Sequence, residues 1–273
     1  GDALARLRRT RQERETDEGG ATHGLPMKII ESRQNPEVKG IVALHERKNR
    51  LMRKAYIAQG LRTCTALIKA GQKLKNLYVT YRMLDHARDL VGEANVTVVH
   101  DEVMEKISTT DSPSGMLGVF ALPEQSTTPT LTSGVVLARI SDPGNMGTLI
   151  RSCAAMGHKT AVIIEGTDVW SPKVVQASAG TIGMLNIITM TWEELLTAKQ
   201  STTLCALVVS GGKKPTELDL AATLLVIGNE AQGIPAEWIA DCDTKLTLPM
   251  AGHAESLNAA IAGSIALYLA AVK

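Results

Sequence analysis

The stretch that decides the fold is Leu224-Leu225-Val226-Ile227-Gly228-Asn229-Glu230-Ala231-Gln232-Gly233-Ile234-Pro235. Four apolar residues run without a polar break, the pattern of a strand buried on both faces. The run stops at Gly228, and Glu230 and Gly233 follow within five residues. A loop built to cradle phosphate keeps carboxylates out, because like charges repel. The loop at this strand end therefore suits a ligand, or a reaction, of another kind.

Working outward, Val135 to Ile140, Thr160 to Ile164, Leu185 to Met190 and Thr203 to Val209 read as further strands. Asn145 to Met156 and Pro172 to Ala179 read as helices, and Ser256 to Val272 as a strongly apolar one. Continuous apolar strands alternating with helices predict an α/β domain, a parallel sheet covered on both faces. Ligands of such sheets bind beyond the C-terminal strand ends.

A smaller module precedes it. Asn35-Pro36 predicts entry into a helix with Pro at an early position, and Val38, Ile41, Val42 and Leu44 give it an apolar side. Leu61 to Ala70 reads as a second helix closed by Gly71. Leu77–Thr80, Val96–His100 and Gly115–Phe120 are strand-like, so a small α/β sandwich is expected. The Pro-, Ser- and Thr-rich residues 123–132 read as a linker between modules at 27–122 and 133–273. Residues 1–26 are polar and charged, and read as a flexible arm with helix formers from Ala3 to Glu15.

Charge separates the modules further. Met27 to Thr80 holds twelve Lys or Arg against three Glu, a net +9, whereas Ser126 to the end carries −3. A basic module beside a mildly acidic one predicts a polyanion held by the first and chemistry in the second; a solvated basic helix surface is the plainer alternative. Cys64, Cys153, Cys205 and Cys242 stand far apart, so no metal knuckle or dithiol pair is expected, and reduced thiols in a cytoplasmic compartment are. No apolar run reaches the roughly 20 residues of a membrane helix, so no membrane role is expected.

Three polar clusters sit at expected strand ends. One is the opening stretch. Another is Asp142-Pro143-Gly144-Asn145-Met146-Gly147-Thr148-Leu149-Ile150-Arg151. Here Asn145 is expected to cap the helix and Gly147 to admit another backbone. The apolar neighbours of Arg151 predict restricted solvation, with a structural ion pair as the alternative to a role in a site. The third is Leu248-Pro249-Met250-Ala251-Gly252-His253-Ala254-Glu255-Ser256-Leu257-Asn258. Ser256 and Asn258 fall in the first turn of the last helix, where capping is the alternative to chemistry. A dinucleotide-binding oxidoreductase is excluded by the lack of G-x-G-x-x-G after the first strand of the larger module.

Taken together, Asn145-x-Gly147-x-x-x-Arg151, Gly228-x-Glu230-x-x-Gly233, and Pro249-Met250 with Glu255-Ser256-Leu257-Asn258 resemble the signature motifs of the SpoU (TrmH) family. These are RNA ribose 2′-O-methyltransferases of the SPOUT superfamily. The resemblance covers nearly all of Gly134 to Lys273. Ser171 to Gly180 also resembles the family, with Gln176 where Arg is common, which bears on one RNA contact. Ile30 to Lys39 and Ser112 to Val119 resemble the ends of a substrate-binding domain similar to small ribosomal RNA-binding proteins. The sequence Ala58-Gln59-Gly60 lacks that domain's usual acidic residue.

The resemblance implies a deep trefoil knot near the C-terminus, a homodimer whose formation completes the site, and S-adenosylmethionine as cofactor with no metal. It places Gly228, Leu248 and Leu257 in the cofactor pocket, with main-chain groups from Ile227 to Gly233 and around Met250. It assigns Arg151 to activation of the ribose 2′-hydroxyl, either by orienting the adjacent phosphate or as the base. The first is favoured because Arg stays protonated. Asn145 and Asn258 would position Arg151 and the ribose, Ser256 would join that network, and Glu230 would support the loop. Arg33, Arg47, Lys48, Arg50, Arg53 and Lys54 would face RNA phosphates. Large-subunit ribosomal RNA is the expected substrate. Transfer RNA, or an inactive assembly factor, are the alternatives.

Overall fold

A computed structural model describes residues 27–126, 128–252 and 256–272 of the 273-residue chain. The expected arm at 1–26 and the motif residue Glu255 lie outside the described residues.

The N-terminal part runs β1 (Lys28–Ile30), α1 (Pro36–Ala43), α2 (Arg47–Arg53), β2 (Ala55–Gln59), α3 (Leu61–Lys69), β3 (Leu74–Val79), α4 (Leu84–Val91), β4 (Val96–Val99), α5 (Asp101–Ile107) and β5 (Met116–Ala121). Its strands form one sheet in the order β1-β4-β3-β5-β2, with β5 antiparallel to both neighbours. Asn35 caps α1 through the Glu37 amide, and Pro36 takes the first position. Strands β1 and β2 lie outside the sequence expectations. Lys28–Ile30 is too short for a periodic signal, and Ala55–Gln59 is buried on both sides, so its alternation is weak.

The C-terminal part runs β6 (Gly134–Ala138), α6 (Pro143–Ala155), β7 (Thr160–Ile164), α7 (Pro172–Ala177), β8 (Asn186–Thr189), α8 (Trp192–Ala198), β9 (Thr203–Leu207), β10 (Thr223–Gly228), α9 (Ala236–Asp241), β11 (Thr244–Leu246) and α10 (Ala259–Ala271). Six strands pair in the order β11-β9-β10-β6-β7-β8, every pair parallel, as the apolar runs predict. Successive residues of β6 serve opposite layers. Val135 and Leu137 pack with α6 and α10, and Val136 and Ala138 pack with α8 and α9.

Two helix starts differ from expectation. Asp142, not Asn145, caps α6, its carboxylate accepting the Asn145 amide at 2.7 Å. Pro143 lacks an N–H and suits the first helical position, so the helix begins earlier. Asn258, not Ser256, caps α10, accepting the amides of Ala260 and Ile261 at 2.9 and 3.2 Å. The helix thus starts three residues later than its apolar pattern suggests.

The linker does not separate two independent cores. Tyr56, Leu67 and Phe120 belong to the same buried cluster as Val135, Ile150 and Ile182. Tyr56 meets Trp170 at 4.7 Å between ring centroids, and the Gln72 amide donates to the Gly183 carbonyl at 3.1 Å. Arg50 corrects an expectation: it does not face RNA. Its side chain is 4% exposed, donates to the carbonyls of Leu44 and His45 at 2.7 Å, and pairs with Asp168 from the loop after β7. Its neighbours in sequence are basic and exposed, which concealed its tertiary partner. Asp168→Ala leaves this guanidinium buried without a counter-ion. Chemical denaturation is expected to register a loss of about 3 kcal/mol, and an unchanged midpoint would dismiss the pair as a stabilising contact.

Candidate functional site

Strands β6 and β10 are neighbours, so their C-terminal ends deliver residues 142–145 and 228–230 to one place. The N-terminus of α10 arrives there too. Glu230 is the meeting point. Its carboxylate accepts the Asn145 amide at 2.8 Å and the Ser141 hydroxyl at 3.5 Å. The Asn145 carbonyl oxygen in turn accepts the Asn258 amide at 3.3 Å. Asn258 therefore caps α10 and ties it to α6. A methyl group at Gly147 would lie 2.9 Å from the Ser178 nitrogen, so the glycine lets α6 and α7 touch, as its position in the sequence suggests.

The loop after β10 is fixed by Asn229, which sequence reasoning passed over. Its backbone exchanges hydrogen bonds with Gly233 at 3.2 and 2.9 Å. Its side-chain oxygen accepts the amides of Ala231 and Gln232, and its amide donates to the Arg139 carbonyl at 2.9 Å. The chain folds so tightly that a Cβ on Gly228 would stand 2.7 Å from the Gly233 carbonyl oxygen, and closer still to the Gly233 carbonyl carbon and the Ile234 nitrogen.

A cavity of about 410 Å³ opens beside this loop. Ile227, Gly228, Gly233, Leu248, Met250 and Leu257 line it, so the structure brings the sequence-selected pocket residues together. Ser256 lines it as well, outside the Asn145–Glu230–Asn258 network. Val208 and Val209, beyond β9, complete a wall that sequence reasoning left unassigned. Their signal was the apolar run ending at Ser210-Gly211-Gly212 beside the opening strand.

Among the described residues Glu230 is the one charged side chain of this lining. Apolar walls, main-chain groups in the 228–233 loop and a lone carboxylate fit a cationic nucleoside lacking phosphates, and S-adenosylmethionine is of that kind. The four thiols are not candidates for chemistry. None is in a disulfide, and burial pushes each up to about 12, far from the thiolate form at neutral pH. Among the described residues no group of three or more His, Cys, Asp or Glu is placed to hold a metal, and no helix is long and apolar enough to cross a membrane.

Arg151 stands apart. It is exposed on α6 and makes no hydrogen bond or ion pair among the described residues, so the expected restriction by apolar neighbours does not occur. Helical geometry explains this. Thr148, Arg151 and Ala155 form the outer stripe of α6, while Leu149, Ile150 and Cys153 take the apolar side. Asn145 and Asn258 bond to each other rather than to Arg151. Next to Arg151, the Ser152 hydroxyl meets the Ser264 hydroxyl of α10 at 2.7 Å. In the N-terminal part Arg33, Arg47, Lys48, Arg53 and Lys54 are exposed, and Gln176 is exposed on α7.

Residues 133–268 match the SpoU rRNA Methylase family, and residues 35–118 match an MRM3-like substrate binding domain. The 23S rRNA (uridine(2479)-2′-O)-methyltransferase of Streptomyces viridochromogenes is 30% identical, over 82% of this chain and 85% of its own length. The 23S rRNA (guanosine(2553)-2′-O)-methyltransferase RlmP of Bacillus subtilis is 26% identical, over 89% and 98%. The crystal structure of an AdoMet-bound rRNA methyltransferase from Sinorhizobium meliloti superposes with a TM-score of 0.78 at 29% identity, covering 89% of this chain and 97% of that one.

Proposed function

Since the chain belongs to the SpoU rRNA methylase family and is an S-adenosylmethionine-dependent RNA ribose 2′-O-methyltransferase, we propose that large-subunit ribosomal RNA is its substrate. The observation that carries the chemistry is the cavity whose one lining charge, among the described residues, is Glu230, a carboxylate held by Asn145, which in turn accepts from Asn258. Two relatives named for 23S rRNA, each matched along most of its length, support the substrate.

When bound, S-adenosylmethionine supplies an electrophilic methyl group. The chain's own work is to hold and orient. Apolar walls from Ile227, Leu248 and Leu257 shed water, and main-chain groups of the 228–233 loop meet the edge of an adenine. Glu230 sets a negative charge beside a cationic ligand while its bonds to Asn145 and Ser141 stiffen the loop. Arg151 holds the phosphate next to the target ribose with its planar fork and favours loss of the proton from the 2′-oxygen. It remains protonated while doing so.

The same reading includes a homodimer. Ile261, Ile265, Tyr268 and Val272 are exposed at helical spacing on or just beyond α10, a face suited to a second copy. Arg151 adjoins that face through the Ser152–Ser264 contact, so a partner would complete its site. A C-terminal segment threaded as a trefoil knot belongs to the same reading, on the strength of the family to which the chain belongs. A cytoplasmic location fits four free cysteines.

Methylation assays on 23S rRNA and on transfer RNA, with 2′-O-methyl mapping in ribosomes from cells lacking the protein, test the substrate. A missing methyl on ribosomal RNA is expected; one missing only on transfer RNA would reverse the assignment. The N-terminal half is proposed to hold the RNA, with residues 27–122 as its extent, 123–132 as a linker and 133–273 as the methyltransferase part. Deleting that half would strip the shared core, so charge removal is the cleaner test. Alanine at Arg33, Arg47, Lys48, Arg53 and Lys54 is expected to lower the slope of log affinity against log salt by about 0.7–0.9 per lost phosphate contact. A slope equal to wild type would count against RNA binding there.

A further inference from the structure

Resting on the reading that the N-terminal half holds RNA, we propose that α2 takes an unpaired nucleotide, whose base lies on Leu51 and Met52 while the surrounding cations hold its flanking phosphates. Leu51 is 56% exposed and Met52 67% exposed, and neither joins a core cluster. Each lies one helical turn after a cation, Leu51 after Arg47 and Lys48, Met52 after Lys48. Arg53 and Lys54 follow directly, and all four cations are exposed.

This surface is held still. Arg50 points inward to the carbonyls of Leu44 and His45 and to Asp168, which fixes the roll of the helix. At its end Lys54 turns into the left-handed region at φ 46°, and the Lys54 carbonyl accepts the Leu122 amide at 3.0 Å. Lys75 donates to the Arg53 carbonyl at 3.2 Å. The two apolar side chains therefore cannot turn into the core, and a rigid platform loses little freedom on binding.

The chemistry of the occupant follows from the surroundings. A ring of cations calls for a polyanion, and an apolar centre calls for a flat apolar face within it. Paired A-form RNA buries its base faces, whereas loops and bulges splay them out. Bases usually stack on aromatic side chains, and α2 carries none. A Met thioether beside a Leu is a serviceable substitute, since sulfur makes favourable contacts with aromatic rings. Asp168 follows the C-terminal end of β7, which neighbours β6. A nucleotide on α2 is thus presented at the same edge of the sheet as Asn145 and Glu230.

The test compares two RNA probes, a hairpin with an unpaired loop and a blunt duplex of equal length, each titrated against the full chain at several salt concentrations. Leu51→Ala with Met52→Ala is expected to weaken hairpin binding about ten-fold, leaving duplex binding and both salt slopes unchanged. Arg47→Ala with Lys48→Ala is expected to lower the slope for both probes. An unchanged melting temperature and S-adenosylmethionine affinity show that each variant is folded. Wild-type hairpin affinity in the Leu51–Met52 variant overturns the proposal, as does an equal loss on both probes. A shift in oligomeric mass would assign the face to a protein contact and overturn it too. If the Arg47–Lys48 variant keeps the full slope, the RNA-holding reading falls, and this proposal with it.

Discussion

Replacement of Arg151 by alanine is expected to slow methyl transfer by about 10²–10³-fold, the scale of losing one positioned charge at a reacting centre. Affinity for S-adenosylmethionine should stay within about two-fold, because Arg151 is not among the residues lining the cavity. The side chain is exposed and without a bonded partner among the described residues. Its removal should therefore cost the fold no more than about 0.5 kcal/mol. That combination is informative. A guanidinium kept free of internal partners, beside a face suited to a second copy, is available for an external anion. Lysine at this position keeps the charge and loses the bidentate fork, so it should recover only part of the rate. Single-turnover rates on cognate RNA decide the matter, and a wild-type rate for the alanine variant would end the assignment.

Gly228→Ala should act on the other half of the reaction. The added methyl would overlap the Gly233–Ile234 peptide. That peptide cannot retreat freely, since Gly233 is bonded to Asn229 through both its backbone groups. Overpacking of this kind costs about 1–3 kcal/mol. If the loop opens to relieve it, the strain appears as a roughly 10- to 100-fold weaker S-adenosylmethionine complex. Calorimetry on the variant, with RNA affinity as the control, separates a distorted loop from a misfolded chain. Undiminished cofactor affinity would mean that the loop has another conformation in solution.

Much of this was readable from residue patterns because the relevant signals are local. The buried strands announced themselves as unbroken apolar runs, from Ala161–Ile164 to Leu224–Ile227. A helix between successive strands accounts for the parallel pairing of β6 with β7 and of β7 with β8, whereas β9 and β10 pair in parallel with no α-helix between them. Gly228 and Glu230 stood out as a polar, glycine-flanked loop after a buried strand, but their place at a cofactor pocket was implied only by the resemblance of three motifs together to the SpoU family. What stayed hidden depends on distant partners. Arg50 looks like its basic neighbours until Asp168, 118 residues away, takes its charge. The role of Asn229 depends on a carbonyl 90 residues upstream. The freedom of Arg151 depends on which stripe of α6 meets the core, and a one-residue error in that stripe reverses the expectation. The caps at Asp142 and Asn258 were displaced because several capping residues compete within each loop, and spacing alone does not choose among them.

The hydrogen bonds that assemble the site span 85 residues between Asn145 and Glu230, and 113 between Asn145 and Asn258. This has a consequence in time. A ribosome adding about 5–20 residues per second completes the N-terminal sheet at Ala121 roughly 7–30 s before it reaches Asn258. Throughout that interval the basic surface of the nascent chain exists while the rim of the cavity does not. The face of the first sheet that carries Tyr56 and Phe120 also waits for its cover. A growing chain can thus hold RNA before it can modify it, and its unfinished apolar face makes that interval the one in which a chaperone matters most.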